Sequence, residues 1–269
     1  MANNTELKES DEGSEEKKED GWAELGKTLL LAIILAFFVR TFFFEPFNIP
    51  SSSMKPTLLI GDYLFVSKTS YGYSRHSFPM SAAPIEGRMW NKIPNRGDIA
   101  VFKLPSNPGI DYIKRIIGLP GDRIQVRSGK LYINGKQVKR RALGNDTIKG
   151  LYGHEKTIMK YQETLPNGVT YQIYEEGHSM PLDDTPVFNV PEGHVFVMGD
   201  NRDNSQDSRV PELVGPVPFE NLVGRATILF FSADGYKASI LEFWKWPWAI
   251  RYDRIFQSLI PAKEPGMEA

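Results

Sequence analysis

Residues Leu25–Phe44 read LGKTLLLAIILAFFVRTFFF, a run of twenty residues broken only by Lys27 near one end and Arg40 near the other. As a helix it is roughly 30 Å long, the thickness of a bilayer's hydrocarbon core. Both cations have stems long enough to snorkel to an interface. The run predicts a transmembrane helix over 25–44 and divides the chain into a short leading tail and a long following body. A secretory h-region would be followed by a small-x-small cleavage signal, whereas phenylalanines follow this one. A buried core helix is the other alternative, because the uninterrupted stretch Leu29–Val39 is short.

The flanks set the expected orientation. Residues 1–20 carry eight acids against Lys8, Lys17 and Lys18, about -5, so the other residues of this -1 chain sum to about +4. Such a tail, taken as 1–24, is expected to be disordered. A body so near neutral gives no electrostatic footprint for nucleic acid. Lys17, Lys18 and Lys27 precede or open the span, and beyond Phe44 the next basic residues are Lys55 and Lys68. The rule on positive loops therefore puts the tail in the cytoplasm and everything from about Glu45 outside. With no cysteine, the chain can have no disulfide, thiolate zinc site, iron-sulfur cluster or cysteine nucleophile.

Beyond the anchor the pattern is of short strands between turn residues: Tyr63–Ser67, Asp98–Leu104, Tyr112–Ile117, Arg123–Arg127, Lys130–Ile133, His194–Met198 and Ala226–Phe231. Ser128-Gly129 and Asn134-Gly135 read as hairpin turns. The expected fold class is mainly β, with long loops at about Tyr71–Pro94 and Leu143–Pro186 rich in turn residues. In Leu241–Ile260, three tryptophans and Tyr252 interleave with Lys245, Arg251 and Arg254, so 241–269 reads as an aromatic segment resting at a membrane surface. A core-packing helix is nearly as good a reading.

His76, His154, His178 and His194 fall in no metal-ligand or triad spacing and read as loop or surface residues. Gly177–Pro181 begins like a G-x-S-x-G elbow, but Pro181 stands in place of the last glycine, and it reads as a loop. Pro50-Ser51-Ser52-Ser53-Met54-Lys55-Pro56, just past the span, is a linker by composition or a tight loop offering a serine near the bilayer. A serine needs a base to take its proton. With histidine out of place the candidate is a lysine pushed by burial from about 10.4 towards roughly 7 to 8. Lys114 shares a strand face with Tyr112 and Ile116, and alternation alone does not say whether that face or the one with Ile113 and Ile117 is buried. The polar run Gly199–Arg209 could brace a site from behind by side-chain hydrogen bonds. It lacks the glycine and distal glutamate of an EF-hand calcium loop.

Five blocks in order resemble the bacterial type I signal peptidases: PSSSMKPTL at Pro50–Leu58, GD at Gly61–Asp62, RGDIAVF at Arg96–Phe102, YIKRIIGLPGD at Tyr112–Asp122 and MGDNRDNSQDSR at Met198–Arg209. The resemblance implies a serine endopeptidase that removes signal peptides from exported preproteins after small residues at -1 and -3. It makes Ser53 the nucleophile and Lys114 the general base, with Ser205 orienting the amine and Ser51 assisting the oxyanion. Asp207 and Arg209 match a supporting ion pair, and Phe47, Ile49, Met54, Leu58 and Ile113 fall at the substrate groove. Ser52 departs from the glycine of many relatives.

The resemblance further implies an antiparallel β catalytic core at 45–122 and 190–240 with a smaller inserted β domain at 123–189. No cofactor or metal is expected. The partners would be preproteins and the lipid bilayer, with no nucleic acid, and the protein a monomer. It would sit once through the bacterial inner membrane with its catalytic domain outside the cytoplasm. Two other readings stay open. Ser52-Ser53-Met54-Lys55 satisfies the S-x-x-K of penicillin-recognising proteins, although Pro56 disfavours helix at Lys55. An anchored β protein that binds exported chains without catalysis is the second.

Overall fold

The computed structural model describes residues 9–78, 81, 83–149, 155–177, 179–234 and 243–263. Helix α1 runs Glu9–Phe42, and its stretch Trp22–Phe42 is long and apolar enough to cross a membrane, with almost none of it buried against the body. The helix starts well before the expected span and takes in Glu9–Asp20 of the tail expected to be disordered. Glu and Lys, frequent in this stretch, are strong helix formers. The helix also stops earlier than expected, because Phe44 already belongs to strand β1 (Phe44–Asn48).

The main sheet has seven strands in the order β1, β2 (Asp62–Ser67), β16 (Leu222–Ser232), β5 (Ile99–Leu104), β6 (Asn107–Gly118), β14 (His194–Met198) and β15 (Val217–Pro218). Every neighbouring pair is antiparallel. The fold is mainly β, as the strand pattern predicts. β5 shows why it sits centrally: Ile99 and Val101 enter one apolar cluster with Leu64, Val66 and Leu229, while Ala100, Phe102 and Leu104 enter another with Ile116, Val197 and Leu222. Alternate residues face opposite sides of a strand, so IAVFKL suits a strand covered on both faces.

Between β6 and β14 the chain builds two smaller sheets. One has the order β13 (Phe188–Asn189), β7 (Arg123–Arg127), β8 (Lys130–Ile133) and β9 (Lys136–Gln137). Its hairpins turn at Ser128-Gly129 and Asn134-Gly135, all four residues with positive φ, as a tight hairpin with the sheet's twist requires. The other is β10 (Lys139–Lys149), β11 (Glu155–Thr164) and β12 (Thr170–Glu175). β11, β12 and all but the first four residues of β10 lie within the expected long loop at Leu143–Pro186. β10 is charged and largely exposed, β11 is charged and mostly half-buried, and neither shows the apolar alternation that marks a half-buried strand in a sequence. In the other expected loop, β3 (Tyr73–Ser74) pairs with β4 (Arg88–Met89).

The C-terminal segment 243–263 holds one short helix, α2 (Trp246–Ala249), and isolated bridges to β16 and to Ala233. Trp244, Trp246, Trp248 and Tyr252 are exposed, as an interfacial reading requires. Arg251 and Arg254, expected beside them at the surface, instead turn inward to the fully buried Asp62. Arg254 donates to both Asp62 oxygens at 2.5 and 3.1 Å, and Ser232 Oγ and the Leu59 N–H donate to them as well. Asp62→Ala would leave the largely buried Arg254 cation without its partner, so urea unfolding should show a loss of about 3–5 kcal/mol; a loss below about 1 kcal/mol would contradict this account.

Candidate active site

The serine block is a closed excursion between β1 and β2. Its ends are tied by Ile49 N–H to Asp62 O at 2.9 Å and Gly61 N–H to Ile49 O at 3.0 Å. Within it Lys55 N–H reaches Ser52 O at 3.1 Å and Leu58 N–H reaches Met54 O at 2.9 Å, which makes a compact turn. Met54 and Leu58 were expected at the substrate groove. They are 1% and 0% exposed and belong to the apolar core under the turn, so they hold Ser53 from below and do not line the cleft. Their apolar character, read as groove chemistry, is core chemistry.

Lys114 lies on β6 opposite Ala100 of β5. Its Nζ is 2.7 Å from Ser53 Oγ and 3.1 Å from the Ile113 carbonyl, and both Lys114 and Ser53 are buried. Burial lowers the Lys114 pKa to about 8, although Asp207 and Asp200 pull in the opposite direction. Both faces of β6 are covered from Lys114 to Gly118, which answers the question that alternation left open. Ser51 Oγ is 3.3 Å from Ser53 Oγ. Ser52 Oγ accepts from Asn204 Nδ2 at 2.8 Å, and among the described residues it makes no bond to Lys55 of the kind an S-x-x-K serine makes to its lysine.

The polar run after β14 closes the site from behind. Pairing of β14 with β6 stops at Met198 opposite Arg115, and the chain then turns across the serine. Gly199 is required there: a Cβ would fall 2.2 Å from Ser205 Oγ and 2.6 Å from the Ser53 carbonyl. Asn201 donates its N–H to Ser53 O at 3.0 Å and its side-chain amide to Ser52 O at 3.1 Å. Arg209 grips Asp207 with two bonds of 2.9 Å, one to each carboxylate oxygen. Burial opposes the Asp207 charge, but Arg209 together with Gly199 N–H and Ser205 outweighs it and holds the carboxyl below the usual range. Ser205 donates to Asp207 at 2.8 Å; among the described residues it makes no bond to the Lys114 amine, the contact expected of it.

Sequence reasoning passed over a second buried group. Arg115, next to the lysine, binds both oxygens of Asp200 at 2.8 and 2.6 Å, and Thr57 Oγ1 donates to the same carboxylate at 2.5 Å. The group ties the serine turn, β6 and the polar run together. Arg115 and Asp200 are 85 positions apart in the sequence, so no local pattern marks them as partners. A cleft of about 920 Å³ opens over Ser53 and Lys114. Phe47, Ile49 and Ile113 line one part, and Ser51 and Ser205 reach it too. Met180, Pro181 and Leu182, from the expected long loop at Leu143–Pro186, line another. His76 is buried with Nδ1 2.9 Å from Ser81 Oγ, not a surface residue, and His194 lies away from the cleft; His154 and His178 fall outside the described residues.

The family model for signal peptidase, peptidase S26, matches residues 22–231. A signal peptidase I from Rickettsia conorii is 42% identical over 84% of this chain and 89% of its own. One from Rickettsia typhi is 41% identical over 86% of this chain and 92% of its own. A solved signal peptidase I from Enterococcus faecalis is 30% identical, covers 50% of this chain and 97% of its own, and superposes with a TM-score of 0.28. The fold assignment rests on the strands described above and not on that superposition. Matched from the apolar helix to the end of β16, the chain belongs to the signal peptidase I family of serine proteases.

Proposed function

We propose that this chain is a membrane-anchored serine endopeptidase that frees exported preproteins from their signal peptides, with Ser53 as nucleophile and Lys114 as general base. The observation that carries the reading is the 2.7 Å approach of a buried amine with a lowered pKa to a serine hydroxyl. A neutral amine takes the Ser53 proton as Oγ attacks the scissile carbonyl. The ammonium so formed returns a proton to the departing amine, leaving an ester on Ser53. Water, deprotonated by the same lysine, then hydrolyses the ester and restores the serine. The Ser51 hydroxyl, beside Ser53 Oγ, is placed to help hold the oxyanion. Ser205 gives its proton to Asp207, so only lone pairs remain to face the cleft, which suits a passing ammonium.

Substrate is read as an added strand. β14 leaves β6 at Arg115, so the edge of β6 before it has no β14 partner, and an extended peptide can bond to that main chain. Phe47, Ile49 and Ile113 make the adjoining wall apolar, which favours small apolar side chains at -1 and -3. Trp22–Phe42 is the anchor, with its N-terminal side in the cytoplasm and the cleft outside the inner membrane.

Three outcomes test the reading. Ser53→Ala and Lys114→Ala should each cut cleavage of an Ala-x-Ala preprotein in detergent by at least about 1000-fold with folding intact; full activity in either variant would overturn it. The rate should climb as pH rises through about 8 and then level, because the active form is the unprotonated amine. Finally, Lys114→Met removes a buried ammonium. Between about pH 8 and 10.5 the unfolded chain holds a proton that the folded one has released, so stability rises with pH there and the full penalty is present below. The variant should therefore unfold at pH 7 with a free energy higher by on the order of 3 kcal/mol, and a destabilised variant would count against a strained amine.

A further inference from the structure

Lys68 is a buried cation with no part in the chemistry above. It is 1% exposed, in the turn directly after β2. Its ammonium reaches three oxygens: the Ser77 carbonyl at 2.6 Å, a Glu45 carboxylate oxygen at 3.0 Å and the Thr41 carbonyl at 3.5 Å. Thr41 stands in the last turn of α1, where carbonyls have no partner within the helix. Neighbouring groups complete the seizure of that helix end. Lys68 N–H donates to Phe43 O at 2.9 Å, Tyr73 Oη donates to Phe42 O, and Glu45 lies 3.5 Å from Arg40 of the helix. The Phe42 ring meets Phe78 edge-on at 5.9 Å.

Only Phe43 separates α1 from β1, and β1 leads straight into Phe47 and Ile49 of the cleft wall. A linker this short, with its exposed carbonyls taken by the body, leaves little freedom of swing. We infer that Lys68 is a positioning residue for cleavage at the membrane: its clamp on the end of α1 fixes the attitude of the cleft towards the bilayer. The inference rests on α1 spanning the membrane. A preprotein held in the same bilayer meets the cleft in one orientation, so misplacement of about an ångström is costly. A soluble peptide arrives in any orientation and is indifferent to it.

Full-length protein in phospholipid vesicles, given either a membrane-held preprotein or a soluble peptide spanning its cleavage site, separates the two cases. Lys68→Met keeps the apolar stem and deletes the donors. It should leave kcat/KM on the soluble peptide within about twofold while lowering it on the membrane-held preprotein by on the order of tenfold, and should scatter the cleavage position. Glu45→Gln, a milder change at a partly exposed residue, should move the same way by less and covers the case where Lys68→Met fails to fold. Equal losses on both substrates in the variants that fold would make Lys68 merely structural, and unchanged ratios would also overturn the inference. If the unaltered protein does not sediment with alkali-washed vesicles, the anchoring itself fails, which is distinct from a vesicle-bound protein whose variants show no selective loss.

Discussion

The candidate site is arranged around one contact, an amine brought out of water to meet a hydroxyl. Lys114 Nζ and Ser53 Oγ come from segments 61 positions apart, and neither would be reactive in solvent. The lysine costs stability wherever it is charged, because a buried ammonium loses hydration that one serine and one carbonyl restore only in part. That cost is offset by the apolar layers on both faces of β5 and by the ionic groups behind the site. Asp207 with Arg209, and Asp200 with Arg115, are each doubly bonded and buried, so their charges cancel locally. The lysine is left as the one group in this cluster whose charge is readily surrendered.

The strands most visible in the sequence are those with strong apolar alternation or firm turns. Arg123–Arg127, Lys130–Ile133 and His194–Met198 are found at their expected bounds. β10 was invisible because most of its length is solvated, and β11 because its buried positions, Ile158 and Glu163, do not alternate with polar ones as a half-buried strand's would. The helix was legible as a span, while its ends were not. Apolar content marks lipid-compatible residues and says nothing about how far the backbone continues as helix into a charged tail. Arg251 and Arg254 looked like interfacial cations because a sequence does not show that Asp62 waits for them inside.

At the site, the residues with distinctive chemistry were the ones that could be found. A serine turn, an intruding lysine on an apolar strand and a dense polar run each have a local signature. Lys114 could be assigned to neither face from alternation, and only the packing on both sides of β6 decides it. Met54 and Leu58 show the opposite failure: apolar residues beside a candidate serine invite a role in substrate binding, yet a turn so small needs its own ballast. The Met180–Leu182 wall is contributed by a segment far along the chain with no chemical marker, so its proximity to Ser53 exists only in three dimensions.

The turn carrying Ser53 receives its braces from late in the chain. Asn201 and Asn204 hold its backbone and neighbouring side chain, and Arg254 donates to the Thr57 carbonyl at 3.0 Å. The serine turn is therefore synthesised well before Asn201, Asn204 and Arg254, the residues that brace it from outside. Such long-range closure slows folding. It also means that the turn must first be held by its own backbone ties and by Met54 and Leu58 beneath it, and that the orientation of its hydroxyl is completed only when those distant struts dock.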